Sequence, residues 1–339
     1  MAPVAILVWG SGFFARKWLE TLKDRADCRL AGIVSRSPEG LGPLRRELDL
    51  PRVPGFRTLP EAVAASEAEA VLVALPELLH REAIVTALDA GLHVLTEKPL
   101  ATTAEEARAI HTAARSRPDR VVMVCQNFRW RPHTRALRRA VRDGVIGRLG
   151  HLMLECRQQI RRTTVEGWRE RMADPFLLDF AIHHLDLIRY LSGEEARELV
   201  GVSFRPPWSW FAGDSAACAV LTMESGLVVG YDATMVAQGL ETPQEGLITL
   251  IGERGSLHLD GRSQVSLLGA GDPQPVPGDP VPEGELGHGL GQFVQAVRTG
   301  RAPETHLGDN LRSFALLLAL MESRRTRHAM RPAEVLSPG

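Results

Sequence analysis

The chain has 339 residues, 44% of them apolar and 24% charged, with a formal net charge of −1. That length exceeds one ordinary domain and that balance is typical of a folded chain with buried cores, so two domains are expected. Arginines are interleaved with Asp and Glu instead of forming a stripe, which argues against a nucleic-acid partner.

The first apolar run, Val4 to Val8, leads straight into glycines. It has no basic segment before it and is too short to span a bilayer, so it reads as a buried strand, with no membrane partner and a cytoplasmic location expected. Further strand candidates are Arg29 to Val34, Ala70 to Ala74, His93 to Thr96 and Val121 to Cys125. Between them, Arg16 to Lys23, Pro60 to Ala65, Arg81 to Ala90 and Thr103 to Ser116 carry helical spacing of Leu, Ala and Val. Strand alternating with helix predicts a parallel, doubly wound α/β sheet over residues 1–125.

After Pro132 the pattern changes. A helix at Thr134 to Asp143, a strand at Leu152 to Arg157 and a helix from Pro175 to Leu191 precede strands at Leu199 to Phe204, Ala216 to Met223, Leu227 to Met235, Gly246 to Ile251 and Ser256 to Leu259. This predicts an α+β second domain over 126–339, built on a largely antiparallel open sheet with helices on one face. Gly269 to Gly287, with five prolines, reads as a surface connection, and Asn310 to Arg325 as a last helix with one apolar face. The cysteines (Cys28, Cys125, Cys156, Cys218) stand singly, with no CxxC pair and no His of ligand spacing nearby, so free thiols and no metal are expected.

Chemistry enters with Gly10-Ser11-Gly12-Phe13-Phe14-Ala15, a GxGxxA turn between the first strand and helix. Gly10 permits the tight turn, Gly12 lets backbone approach a pyrophosphate, and Ala15 lets the helix sit close to the strand. After the second strand, where a carboxylate would hold the ribose 2′-hydroxyl of NAD, stand Val34-Ser35-Arg36-Ser37. A hydroxyl and a guanidinium suit a 2′-phosphate, so NADP is favoured over NAD. Lysine is scarce, only Lys17, Lys23 and Lys98, and Lys98 follows a buried strand at the edge where parallel sheets bind ligands. Desolvated, it can exchange a proton near neutral pH, although a surface lysine at a strand end is the plainer explanation of that residue alone. Asp179 and His183 lie four apart in a helical pattern, where a carboxylate can orient an imidazole; a structural pair is the plainer alternative. His184 and Asp186 point elsewhere and read as a cap or surface ion pair.

Together these residues resemble the Gfo/Idh/MocA oxidoreductases over essentially the full length. The resemblance is carried by the glycine turn, Ala74-Leu75-Pro76 with His80, Glu97-Lys98-Pro99, Asn127-Phe128-Arg129-Trp130, Gly167-Trp168-Arg169, the Asp179 to Asp186 cluster and Gly252-Glu253-Arg254-Gly255. Ala181 and the run Ala173-Asp174-Pro175-Phe176 depart from glycines frequent there. The resemblance implies a hydride-transferring dehydrogenase or reductase of a sugar or cyclitol, with Lys98, Asp179 and His183 catalytic. It implies cofactor contacts from Gly10, Gly12, Phe13, Phe14, Ser35, Arg36, Leu75, Pro76, His80, Glu97, Lys98 and Gln126. Substrate contacts are expected from Asn127, Arg129 and Trp168 besides Asp179 and His183, with Arg161 or Arg162 as further candidates, although a solvated strand face is the plainer reading of Arg157 to Arg162. A homodimer or homotetramer is expected through the second-domain sheet. An NAD-dependent glycosidase acting by transient oxidation and a non-catalytic nucleotide-binding regulator stand as alternatives.

Overall fold

The computed structural model describes residues 2–162 and 167–336. The chain divides into two compact units, Met1–Asn127 with Pro282–Leu311, and Phe128–Val281 with Arg312–Gly339.

In the first unit the elements run β1 (Val4–Trp9), α1 (Phe13–Lys23), β2 (Cys28–Val34), α2 (Gly42–Glu47), β3 (Gly55–Phe56), α3 (Leu59–Ala65), β4 (Ala70–Val73), α4 (His80–Asp89), β5 (His93–Thr96), α5 (Ala104–Arg115) and β6 (Val122–Val124). The strands form one sheet in the order β3-β2-β1-β4-β5-β6, every pair parallel. The apolar runs explain this: β4 and β5 are buried along their whole length, as strands covered on both faces must be. Helix starts are set locally. Thr58 and Thr103 accept hydrogen bonds from the backbone N–H of Glu61 and Glu106, and each glutamate reaches back to the residue before its cap. The strand order reverses at β1 and β4, and ligands of such sheets bind beyond the carboxyl ends of the strands there.

The second unit contains α6 (Pro132–Arg142), β7 (Leu149–Arg157), α7 (Gly167–Glu170), α8 (Ile182–Ser192), β8 (Ala196–Phe204), β9 (Ala216–Met223), β10 (Val228–Thr234), β11 (Leu247–Gly252), β12 (Gly255–Leu259), β13 (Val265–Leu268) and β14 (Gln274–Val276). They form an eight-stranded sheet, β14-β13-β12-β11-β7-β10-β9-β8, in which only the β10–β7 pair is parallel. Alternation sorts its faces: Leu152, Leu154, Leu221, Val229, Tyr231, Ile248 and Leu250 are buried, and α8 packs against β7. The register puts Val200, Val220, Val228 and Ile251 on the opposite face, where each is more than 40% exposed.

The chain then supplies α9 (Gly284–Thr299) and α10 (Leu307–Thr326), ending with α11 (Pro332–Val335). Residues 282–311 belong to the first unit, whereas the pattern of elements predicts a second domain over 126–339. Specific contacts draw them back: Arg25 donates to the Gly287 carbonyl, Arg298 to that of Asp27, and Thr305 accepts from the Val124 backbone at the edge of β6. The stretch expected to be a surface connection carries β14 and the start of α9; Pro275 is tolerated because β14 is an edge strand. In α10, residues 313–320 are all buried, so burial exceeds the single face that the pattern predicts.

Candidate active site

In the first unit, β1 enters a turn that only glycine fits. Gly10 has φ of +133°, and a Cβ there would lie 2.3 Å from the Ala74 carbonyl oxygen. Gly12 is the N-cap of α1 with no side chain closing it, and a Cβ at that position would meet nothing within 4 Å. Open backbone at a helix N-terminus is what a pyrophosphate needs, so these residues fit a dinucleotide. Phe13 is exposed with the Lys17 ammonium over its ring, and Phe14 packs edge-on to Phe13. At the end of β2 the hydroxyls of Ser35 and Ser11 are 3.2 Å apart and Arg36 is exposed.

The loops after β4 and β5 are tied together from beneath. His80 is fully buried, with Nδ1 2.7 Å from the Pro99 carbonyl and Nε2 2.9 Å from that of Leu75, the residue before Pro76. Burial pushes its pKa down, the two carbonyls opposing. Glu97 is turned inward: its carboxylate accepts from Trp18 Nε1 at 2.7 Å and from the Lys98 backbone N–H at 3.3 Å. Lys98 itself is half-buried at the carboxyl end of β5. At the end of β6, Gln126 is 1% exposed and neither polar atom of its amide has a hydrogen-bond partner among the described residues. Buried amides are nearly always satisfied, so a ligand or ordered water must meet these atoms, a second point of fit. Asn127 donates to Glu285 on α9 at 2.8 Å.

In the second unit, the helix expected from Pro175 to Leu191 is in two parts. Leu177–Ala181 forms a π-helical turn that carries Asp179, half-buried, and α8 follows with His183 in its first turn. Such wide turns recur at functional sites. His183 is 6% exposed, and its ring stacks on Phe128 with centroids 4.1 Å apart and planes 8° from parallel. Arg131 lies 3.8 Å from the centroid of that same phenyl ring. Two planar groups cannot share one face of a six-membered ring at these separations, so Phe128 is sandwiched between His183 and Arg131. Arg131 and His133 both pair with Glu245. Burial raises the Glu245 pKa, but the His133 hydrogen bond and the Arg131 charge outweigh it and hold the carboxyl down at about 2.

His184 and Asp186, read from sequence as a cap or surface pair, are core residues. His184 is fully buried; Nε2 donates to the Gln244 carbonyl at 2.8 Å and Nδ1 accepts from the Tyr231 hydroxyl at 2.9 Å. Burial lowers its pKa to about 4. Asp186 accepts two bonds of 2.6 Å from Arg129 and a third of 2.6 Å from Ser313, whose hydroxyl also meets Arg189. The Arg129 guanidinium thus spends its fork inside the unit. Arg162 pairs with Glu170 at the surface, Arg161 is exposed, and the Trp168 side chain lies outside the described residues.

Residues 4–125 match the model of the GFO_IDH_MocA oxidoreductase family with its NAD-binding Rossmann fold, and residues 134–258 match the family's C-terminal domain. The chain belongs to the GFO/IDH/MocA family. Among its relatives, the D-apiose dehydrogenase of Paraburkholderia graminis is 27% identical, over 93% of this chain and 86% of its own. The 1,5-anhydro-D-fructose reductase of Ensifer adhaerens is 26% identical, over 94% and 96%. An Agrobacterium radiobacter oxidoreductase solved with NAD+, L-tartaric acid and magnesium shares the fold, with a TM-score of 0.89 over 97% of this chain and 98% of that one, at 21% identity.

As a GFO/IDH/MocA protein the chain is an oxidoreductase acting on CH–OH groups. Its first unit gathers Gly10, Gly12, Ser35, Arg36, Leu75, Lys98 and Gln126 at the carboxyl ends of the strands, while His80 and Glu97 lie beneath them. Its second unit gathers Asp179, His183 and the Phe128 stack. Sequence reasoning missed Trp18, Tyr231, Glu245 and Ser313, because each meets its partner from a distant part of the chain and none belongs to a local motif.

Proposed function

We propose that this chain moves a hydride between a secondary carbinol of a sugar or cyclitol and a nicotinamide cofactor, with NADP favoured over NAD. The observation that carries the chemistry is the buried His183, held flat against Phe128 at 4.1 Å one helical turn beyond Asp179. Gly10, Gly12, Phe13, Phe14, Ser35, Arg36 and Gln126 would hold the cofactor, which when bound supplies the hydride acceptor or donor. His183 takes the hydroxyl proton during oxidation and returns it during reduction. Asp179 stabilises the charged imidazolium, and Lys98 donates to the substrate oxygen. Asn127 and Trp168 are proposed to contact substrate hydroxyls. Arg129, whose donors reach Asp186, is instead proposed to anchor α8, and with it His183.

The exposed row of Val200, Val220, Val228 and Ile251 is proposed as the face on which a homodimer or homotetramer forms. All four cysteines are free thiols, in keeping with a reducing, cytoplasmic compartment. Among the described residues no helix is long and apolar enough to cross a membrane.

The test is a panel of sugars and cyclitols, including D-apiose and myo-inositol, assayed with NADP+ and NAD+ by absorbance of the reduced cofactor. Turnover is expected with at least one, falling by about 10²- to 10⁴-fold in kcat in His183→Asn. A variant that turns over like the parent would remove His183 from the chemistry.

A further inference from the structure

Arg57 stands where the fold puts ligands. Strand β3 pairs in parallel with β2, Val34 opposite Phe56, and the Ser35 N–H donates to the Phe56 carbonyl at 2.9 Å. Arg57 therefore emerges beside Ser35 at the carboxyl edge of the sheet, next to the loop Ser35-Arg36-Ser37. Its Nη1 donates to the Arg36 carbonyl at 2.7 Å, which presses the guanidinium against that loop. Its Nη2 donates to Glu39 at 3.2 Å, an open pair with side chains 61% and 66% exposed. A guanidinium carries five N–H groups, so three of those on Arg57 make no hydrogen bond among the described residues.

The geometry points to Arg57 as a second phosphate-binding residue for the cofactor's 2′-phosphate, with Glu39 as its resting partner. The inference rests on the NADP reading and deepens it. Around one short loop the fold assembles two guanidinium groups, Arg36 and Arg57, and three hydroxyls, those of Ser11, Ser35 and Ser37. A phosphate monoester brings about −1.5 to −2 charges and three acceptor oxygens, which match a planar fork and short hydroxyls. A ribose 2′-hydroxyl brings no charge and, as a donor, seeks a carboxylate. Glu39 is engaged by the Arg57 side chain and Glu61 by the Arg57 backbone N–H at 3.0 Å, so both nearby carboxylates are already paired. When a phosphate arrives, Arg57 keeps its tether to the Arg36 carbonyl and turns its other donors from Glu39 to the ligand. Glu39 opposes phosphate binding by competing for Arg57, and this sets discrimination between the two cofactors without abolishing either.

The test is titration of the purified chain with NADPH and with NADH, followed by the fluorescence of the bound nicotinamide, for the parent, Arg36→Ala, Arg57→Ala, Arg57→Lys and Glu39→Gln. Losing one charge-assisted, forked contact is expected to weaken NADPH by about 10-fold or more in Arg57→Ala, with NADH changed by less than about 2-fold. Arg57→Lys recovers part of the loss, since it returns the charge but not the fork. Glu39→Gln, which leaves Arg57 in place, tightens NADPH about 3-fold or more and leaves NADH unchanged. A parent that prefers NADH, or that loses no discrimination in Arg36→Ala, sinks the NADP reading and this inference with it. A parent that prefers NADPH and loses that preference in Arg36→Ala but not in Arg57→Ala overturns the inference alone. Equal weakening of both cofactors in Arg57→Ala also overturns it, because Arg57 would then only brace the loop.

Discussion

Replacing Asp186 by alanine should expose how much of the second unit depends on one carboxylate. Asp186 and Arg129 have side chains 2% and 5% exposed, and their two bonds of 2.6 Å form a forked pair. Ser313 donates to the same carboxylate at 2.6 Å and links it to Arg189. Removing the carboxylate takes the forked ion pair with Asp186 away from a buried guanidinium, and the cost of breaking such a pair from one side is about 3–5 kcal/mol. For a unit of this size that corresponds to a fall in Tm of about 6–20 °C. The assay is urea unfolding of parent, Asp186→Ala, Arg129→Met and the double variant Asp186→Leu/Arg129→Met, with Tm by calorimetry. The double variant should recover most of the loss, since an apolar pair removes both desolvated charges together. A loss below about 1 kcal/mol in Asp186→Ala, or a double variant no better than the singles, would refute the claim that this ion pair anchors α8.

Phe128→Leu should unstack His183 and lower kcat by about 10-fold or more with little change in KM, while Phe128→Tyr keeps the ring and most of the rate; steady-state kinetics on a substrate from the panel decide it. Stability should fall with acid in two windows. His184 is held neutral by burial at a pKa of about 4, against an ordinary 6.5, so the unfolded chain takes up that proton first. That contribution is full above pH 6.5 and is lost as pH falls toward 4. Glu245, held down at about 2 from an ordinary 4.5, contributes above pH 4.5 and loses its share as pH falls toward 2. Each shift amounts to about 3 kcal/mol, and urea midpoints at pH 7, 5 and 3.5 for the parent and Glu245→Gln separate them, the variant losing the lower window only.

The first unit was legible in the sequence because its signals are local. Buried parallel strands are apolar runs, the motif from Gly10 to Ala15 is six residues of grammar, and Lys98 lies two residues beyond the end of β5. What escaped was set by distance. Strand β3 is two residues long and exists because β2 offers it an edge. The return of 282–311 depends on Arg25, Arg298 and Thr305 finding partners more than 150 residues away. His184 and Asp186 look like surface residues by type. Tyr231, Gln244, Arg129, Arg189 and Ser313, folded around them, make their burial tolerable. The π-helical turn at Asp179 has no compositional mark, so the site residues could be named from the sequence while the shape that presents them could not.

The late return of α9 has a further consequence for how this chain is made. Because residues 128–281 are inserted between the two stretches of the first unit, the nucleotide-binding sheet leaves the ribosome without the helix against α1 and without the strand-like segment that closes β6. Domains tend to fold in the order of synthesis, but here the first to begin must wait for residues 282–311, and the second in turn for residues 312–339. A chain halted at residue 281 would lack the Ser313 that braces Asp186 and Arg189 on α8, and the outer edge of its Rossmann sheet at β6 would stay open, a ready template for pairing with other chains.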